Sequence, residues 1–102
     1  MNARNELLEA LEGRRITWAW IRLGSDYAGS NCKRFFLREG YSSKDYEAFL
    51  KELDFDYYEG YGVQELFGEV LLTSNSWLER GEHDGAEWWN LKEPPKWPKE
   101  VK

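Results

Sequence analysis

The only histidine of the chain lies among acidic side chains. His83 follows Glu79 and Glu82 and precedes Asp84, and imidazole and carboxylate groups are ligands for zinc, manganese and iron. Alternation along a strand puts Glu79 and His83 on one face and turns Glu82 away, while Asp84 and Gly85 form a dipeptide typical of a turn. Few ligands would converge, so we expect neither a metal nor a catalytic role here.

Other catalytic arrangements have equally little support. Asp54, Asp56 and Glu59 could surround Mg²⁺ as in a nuclease, but acidic loops are usually solvated. Cys32 and His83 lack the context of an activated nucleophile, and no glycine-rich phosphate loop or GxSxG elbow occurs. A glycosidase needs a defined carboxylate pair, and nothing selects one among nineteen acidic residues. We predict a protein that is not an enzyme and has no cofactor, with a small metal-dependent hydrolase or nuclease as an alternative.

A cluster of basic and aromatic residues supports a second alternative. Its members are Trp18, Trp20 and Arg22 with Arg14, Arg15, Arg34 and Arg38. Stacking combined with arginine is how proteins hold single-stranded nucleic acid. Residues 1–40 carry seven Lys/Arg and five Asp/Glu, whereas residues 41–102 carry seven and fourteen. The acidic part disfavours binding to phosphates and suits a basic protein partner. We therefore keep a single-stranded nucleic-acid-binding protein only as the second alternative.

Length and composition indicate one globular domain over residues 1–102. Aromatic residues make up 17% of the chain and charged residues 32%, which is polar for a folded domain but too aromatic for disorder. The one cysteine cannot form an intramolecular disulfide, and we find neither a secretory signal nor an apolar run of membrane-spanning length. We therefore expect a cytoplasmic protein, in the host cell if a phage encodes it.

Periodicity and cap residues predict an α+β fold with the order α-β-β-α-β-β-β. Asn5 and Ser42 are the expected N-caps of two helices, and short connections favour an antiparallel sheet of about five strands. The expected helices cover residues 5–13 and 42–53, and the expected strands cover 14–24, 32–40, 64–73, 77–83 and 86–91. Residues 54–62 are expected to form a loop or a short edge strand, and residues 92–102 an extended tail that contains all three prolines.

Turn chemistry predicts the register of the last three strands. Treating Ser74-Asn75 and Asp84-Gly85 as two-residue turns places Leu72 opposite Trp77 and Glu69 opposite Arg80. The same register places Arg80 opposite Trp89 and Gly81 opposite Trp88. One face then resembles a core and carries Val70, Leu72, Trp77 and Trp88 with Gly68 and Gly81 beneath the rings. The other carries Glu69, Arg80, Glu82, Glu87 and Trp89, with Arg80 paired to Glu69 and lying over Trp89.

Residues 60–89 carry a resemblance to a known group of proteins. The block "GYGVQELFGEVLLTSNSWLERGEHDGAEWW" resembles small uncharacterised proteins of bacteriophages and mobile elements, in which GYGxQELFG precedes WLxRGExDGxEWW. The likeness continues weakly upstream through "YSSKDYEAFLKELDF". Ser76, His83 and Ala86 stand where that pattern has Thr, Tyr and Ser. The resemblance implies a small accessory protein, but it supplies no activity and no site residues.

These observations lead to a prediction of protein binding. We expect an acidic, aromatic-rich accessory protein of a phage or mobile element that binds a host protein. Anti-CRISPR and anti-restriction proteins offer the analogy of an inhibitor of a nucleic-acid-binding defence protein. Direct contact with nucleic acid or a membrane is not expected. The predicted partner-binding residues are Tyr57, Tyr58, Glu59 and Tyr61 in the loop and Glu82, Glu87 and Trp89 on the sheet.

Overall fold

The first helix begins earlier than the sequence pattern predicts. The computed structural model describes residues 1–24, 32–57, 64–83 and 86–95, and helix α1 spans Ala3–Leu11. Asn2 is the N-cap, since its side chain accepts a hydrogen bond from the backbone N–H of Asn5 at 3.0 Å. The prediction of Asn5 as the cap is therefore wrong. The helix ends beside Gly13, as expected, with Glu12 and Gly13 in left-handed conformations at φ 49° and 80°.

The second helix, α2, spans Ser43–Glu52 and has the predicted N-cap. The Ser42 hydroxyl accepts from the backbone N–H of Asp45 at 3.1 Å, and the Asp45 carboxylate accepts from the backbone N–H of Ser42 at 3.0 Å. This reciprocal capping box defines where the helix starts. Phe49 and Leu53 are 2% and 0% exposed, so the apolar positions face the interior. Within the described ranges, neither helix is long and apolar enough to cross a membrane.

Five strands form one antiparallel sheet. They are β1 Ile16–Leu23, β2 Lys33–Leu37, β3 Leu66–Leu72, β4 Trp77–His83 and β5 Ala86–Lys92. Their spatial order is β2-β1-β3-β4-β5, so β2 and β5 are the edge strands among the residues that the structure describes. The predicted α+β fold and the order α-β-β-α-β-β-β are confirmed. β1 is an interior strand, as the apolar residues on both of its faces indicate.

The pairing of β3 with β4 differs from the prediction by one residue. Leu71 lies opposite Trp77 and Val70 opposite Leu78, so the predicted pair of Leu72 with Trp77 is wrong. Residues 73–75 form a three-residue loop, because residue 76 already pairs with the end of β3 through its backbone. The last loop residue, Asn75, has φ 66°. Such loops combine a tight turn with a left-handed residue. Since side chains alternate between faces, the one-residue shift reverses β4 and β5 relative to β3.

Both helices pack on one face of the sheet, which we call the core face. The buried cluster there joins Leu7 of α1 and Phe49 of α2 to Ile21, Val70 and Leu78 of the strands. A bulge between Ile16 and Trp18 also turns Ile16 into this core. The opposite face, which we call the outer face, is covered by neither helix. Its residues include Trp18, Trp20, Arg22, Arg34, Phe36, Phe67, Glu69, Leu71, Trp77, Glu79, Gly81, Trp88, Asn90 and Lys92.

Candidate functional site

The acidic residues around His83 point in different directions. Glu79 and His83 lie on the outer face and Glu82 on the other, as strand alternation predicts. The Glu79 carboxylate pairs with Lys92 Nζ at 3.6 Å, and Asp84 lies outside the described residues. Over the part of the chain that the structure describes, no three His, Cys, Asp or Glu side chains form a group that could hold a metal ion.

One of the carboxylates considered for magnesium, Asp54, has other partners. Asp54 lies 3.4 Å from Arg4 Nη1 and accepts a hydrogen bond from Asn2 Nδ2 at 2.9 Å. Asp56 is exposed, and Glu59 lies outside the described residues. Asp54 therefore joins the start of α1 to the end of α2, a structural role.

Arg80 lies at the centre of a polar network on the core face. Its side chain is 2% exposed, and its Nη atoms lie 3.0 Å from Glu6 Oε1 and 2.8 Å from Glu87 Oε1. Nη2 also donates to the Tyr57 hydroxyl at 3.0 Å, and Nε donates to the Leu66 carbonyl at 3.2 Å. We call Glu6, Tyr57, Arg80 and Glu87 the Arg80 network. It joins α1, the residues after α2 and three strands.

Glu87 connects the Arg80 network to the start of β3. Its side chain is 0% exposed and pairs with Arg80. It also accepts hydrogen bonds from the backbone N–H groups of Glu65 and Leu66, at 2.5 and 2.9 Å. These donors stabilise a negative charge that burial alone would disfavour. The expectation that Glu87 lies on an exposed face is wrong, because the shifted register turns Arg80 and Glu87 towards the core.

Arg80 and Tyr57 keep the protonation states that they have at neutral pH. Burial lowers the pKa of Arg80, but the hydrogen bond to Glu87 and the charge of Glu6 outweigh it and raise that pKa. Burial raises the pKa of the Tyr57 hydroxyl, and its hydrogen bond to Glu6 raises it further. Arg80 therefore remains charged and Tyr57 protonated, so neither can act as a general base at neutral pH.

Tyr57 is part of this interior network. It is 6% exposed, and its hydroxyl donates to Glu6 Oε1, so the expectation that it lies in an exposed recognition loop is wrong. Tyr58, Glu59 and Tyr61, the other loop residues predicted to bind a partner, lie outside the described residues. Arg80 donates hydrogen bonds both to Tyr57, which precedes residues 58–63 in the sequence, and to Leu66, which follows them.

Of the two predicted contacts of Arg80, the one with Trp89 is confirmed and the one with Glu69 is wrong. Arg80 lies over the Trp89 ring, 4.9 Å from its centroid, and Trp89 is partly buried against the core. The predicted ion pair with Glu69 is wrong, since Glu69 lies on the outer face opposite Glu79. Glu82, another predicted partner-binding residue, is exposed on the strand β4.

The outer face carries a row of apolar side chains across three strands. Trp18 of β1 lies opposite Leu71 of β3, and Leu71 lies opposite Trp77 of β4. Directly opposed side chains on one face of a sheet are in contact range. All three are half-buried, so the row is continuous and partly open to solvent. The prediction that Trp77 fills the core is wrong.

A second row crosses β2, β1 and β3. Phe36 and Glu69 are the strand neighbours of Trp20, and Trp20 Nε1 donates to Glu69 Oε1 at 3.1 Å. Phe36 is 55% exposed, which is unusual for so large an apolar side chain. Because Glu69 engages the indole N–H, Trp20 presents mainly apolar surface.

Trp88 also lies on the outer face, where it covers a glycine. Gly81 opposes Trp88, as predicted, and a Cβ at Gly81 would lie 2.7 Å from Trp88 Nε1. That nitrogen donates to Asn90 Oδ1 at 2.8 Å. Trp88 is 38% exposed, so the missing side chain makes room for the ring, but outside the core. The prediction that Trp88 lies in the core is wrong.

Two cavities border the edge strand β2. One, of about 350 Å³, lies on the outer face between Trp18, Trp20 and Phe36. The other, of about 370 Å³, lies between the end of β2 and α2. Both are lined by residues 36–39, so this edge is open on both sides. Sequence patterns gave no sign of Phe36 as a site residue, because the exposure of a β2 position depends on which strands flank it.

Comparison with protein-family models, with curated proteins and with solved structures finds no match to this chain. The candidate site must therefore be assessed by its geometry. The Arg80 network is interior and its polar groups bind one another. The outer face combines exposed aromatic side chains with a cavity, which makes it the candidate functional site.

Proposed function

We propose that this protein acts by binding another protein through the outer face of its sheet. The observation that carries the proposal is the row Trp18, Leu71 and Trp77, extended along β1 and β2 by Trp20 and Phe36. Contiguous apolar surface on a small domain marks an interaction site. Tryptophan and arginine are also the residues most often found at the energetic centres of protein interfaces.

The outer face carries charges of both signs, and the acidic pair at its centre favours a protein partner over single-stranded nucleic acid. Arg22 lies over Phe67 at 4.3 Å, and Arg38 over Phe36 at 5.9 Å. Glu69 and Glu79, however, face each other in the middle of the same surface. A nucleic-acid strand that crosses the sheet would bring its phosphates near this acidic pair. A protein can place a neutral or basic group there.

The charge of the chain favours a basic partner. The net charge is −5, and complementary potentials accelerate association and exclude competing proteins. Exposed carboxylates also occur on both helices, for example at Glu9 and Glu47. Inhibition of a basic, nucleic-acid-binding defence protein of a host, by analogy with anti-CRISPR and anti-restriction proteins, remains a prediction within this proposal. The proposal involves no catalysis.

Surface variants test the proposal. Phe36→Ala and Trp77→Ala remove apolar surface from the outer face, and Leu8→Ala removes an exposed side chain of similar character, 39% exposed, from α1. The three proteins and the unmodified chain are immobilised and used to capture proteins from host lysate, with quantification by mass spectrometry. We expect a basic protein whose capture falls at least tenfold with either outer-face variant, about 1.4 kcal/mol, and is unchanged with Leu8→Ala.

Three results would overturn the proposal. One is capture that is equal for all variants. The second is steeply salt-dependent binding to a single-stranded oligonucleotide that Trp18→Ala abolishes, which would favour nucleic acid as the ligand. The third is a dimer in sedimentation that Phe36→Ala dissociates, which would assign the outer face to a second copy of the chain.

A further inference from the structure

The edge strand β2 has the geometry of a strand-addition site. Phe36, Leu37, Arg38 and Glu39 line the cavity on the outer face and also the cavity beside α2. A strand added beside an edge projects successive side chains to alternate faces. An extended segment paired with β2 would therefore insert neighbouring side chains into the two cavities in turn.

The two cavities differ in chemistry. The outer-face cavity is walled by Trp18, Trp20 and Phe36, so it suits a large aliphatic or aromatic side chain. The cavity beside α2 carries the carboxylates of Glu39, Asp45 and Glu52. Asp45 also caps the helix. Arg38 also borders this cavity, but the carboxylates there outnumber it, so the net negative charge suits a lysine or arginine side chain of a partner.

The other edge of the sheet is closed on the core side near Glu87 and Trp89. On the core side of β5, Glu87 is 0% exposed and binds Arg80, and Trp89 packs against the core. At β2, by contrast, Lys33, Arg34 and Phe36 are exposed. Exposed side chains therefore occur on both faces of the sheet at this edge.

We infer that the partner enters as an extended segment that pairs with β2, with apolar side chains in the outer-face cavity and cationic side chains in the cavity beside α2. This inference rests on the proposed function and names the form of the partner. Main-chain hydrogen bonds supply affinity in such complexes, and the alternate side chains supply specificity. The cationic positions agree with the basic partner that the net charge of −5 favours.

A model peptide provides the first test. The probe is a short end-blocked peptide of alternating lysine and leucine, titrated into the full chain labelled with ¹⁵N. We expect saturable binding and slower hydrogen exchange of those β2 amides, within residues 33–37, that do not pair with β1. A peptide of the same composition with lysines and leucines in separate blocks, and one with glutamate replacing lysine, should each bind at least tenfold more weakly. Equal binding of the three peptides, or unchanged β2 exchange, would overturn the inference.

Charge variants test the cavity beside α2. Glu52 lines this cavity, whereas Glu47 is an exposed residue of the same helix that does not. Glu52→Lys should weaken binding of the alternating peptide about tenfold, while Glu47→Lys, which makes the same change of net charge, should stay within a factor of about two. Equal weakening would mean that only net charge attracts the peptide, and the inference would fail.

The apolar cavity has its own pair of variants, and these separate the inference from the proposed function. Phe36→Ala should abolish peptide binding, and Leu8→Ala should leave it unchanged. If Phe36→Ala abolishes capture of the protein partner while β2 exchange never responds to peptide, strand addition is wrong and the outer face remains the binding surface. If Phe36→Ala leaves partner capture intact, the proposed function itself is wrong.

Discussion

Aromatic and charged side chains meet on both faces of this sheet, with opposite consequences. On the core face, Arg80 lies over Trp89 and binds Glu6 and Glu87, and its side chain is 2% exposed. On the outer face, Arg38 lies over Phe36, which is 55% exposed. Both groups place an arginine over an aromatic ring. What differs is that the helix α1 covers the first group and neither of the two described helices covers the second.

This contrast separates structural contacts from contacts that are available to a partner. In the Arg80 network each charged group has a hydrogen-bond partner within the protein, and a buried charge without one would be strongly unfavourable. On the outer face, the indole N–H groups of Trp20 and Trp88 are likewise engaged by Glu69 and Asn90, but the rings remain partly open. The network stabilises the fold, and the outer face offers apolar area for binding.

The largest expected effect comes from removing the buried acid. Glu87→Ala leaves Arg80 with one carboxylate fewer and leaves the N–H groups of Glu65 and Leu66 without their acceptor. We expect a loss of about 3–5 kcal/mol, which is a large share of the 5–15 kcal/mol typical of small domains. Denaturant unfolding followed by circular dichroism measures it.

The matched control for this variant is Glu82→Ala. Glu82 lies directly opposite Glu87 on the neighbouring strand but is exposed. Its replacement should change the free energy of unfolding by about 0.5 kcal/mol or less. Similar losses for the two variants would mean that burial of the Arg80 network does not distinguish it from surface charges.

A pair of glycines compares the two faces more directly. A Cβ at Gly68 would lie 2.5 Å from the backbone oxygen of Trp20, whereas at Gly81 the closest atoms, at 2.5 and 2.7 Å, belong to the side chains of Asn90 and Trp88. Backbone of a central strand cannot move away, but exposed side chains can rotate outward. We expect Gly68→Ala to cost about 1–3 kcal/mol and Gly81→Ala about 1 kcal/mol or less.

Unfolding midpoints in urea measure the two costs. The indole N–H resonance of Trp88 should shift strongly in Gly81→Ala and little in Gly68→Ala, because only the first substitution displaces that ring. The reverse order of stability, with Gly81→Ala the more damaging, would contradict the assignment of the faces.

Local patterns predicted the elements of this fold because they depend on neighbours in sequence. The capping box of Ser42 and Asp45, the interior position of β1 and the pairing of Gly81 with Trp88 all follow from spacing of a few residues or from an Asp-Gly turn. Asn5 failed as the N-cap because the helix starts three residues earlier, where the Asn2 side chain accepts from the backbone N–H of Asn5. Both residues are asparagine, so residue type alone does not separate them.

The faces could not be predicted with the same success, since they depend on a single turn. With two loop residues between β3 and β4, Trp77 and Trp88 would lie on the same face as Val70. The loop has three residues, with Asn75 in the left-handed conformation, so both tryptophans lie on the opposite face. Glu6 gave no signal as a partner of Arg80, because the two are 74 positions apart. Sequence therefore predicts the candidate site on the outer face only in part, through the chemistry of Trp18, Trp20 and Arg22.

The smallest effect concerns the Tyr57 hydroxyl, which donates to Glu6 and accepts from Arg80. Tyr57→Phe keeps the ring and removes these hydrogen bonds, and we expect a loss of about 1 kcal/mol at neutral pH. Arg80 keeps its contacts with Glu6 and Glu87 in the variant, so the fold should persist. Urea unfolding at pH 7 measures this part of the effect.

The same variant has a distinctive alkaline behaviour. Burial and the hydrogen bond to Glu6 raise the pKa of Tyr57 above the value of 10.0 expected in the unfolded chain. Above about pH 10 the unfolded state therefore releases this proton before the folded state does, and folding stability falls as pH rises. Phenylalanine has no proton to release, so the stability difference between the two proteins should shrink between pH 9 and pH 11, while the other titrating groups act equally on both. A difference that stays constant over this range would show that Tyr57 ionises as readily in the folded chain as in the unfolded one, and that the core face does not protect its network from solvent.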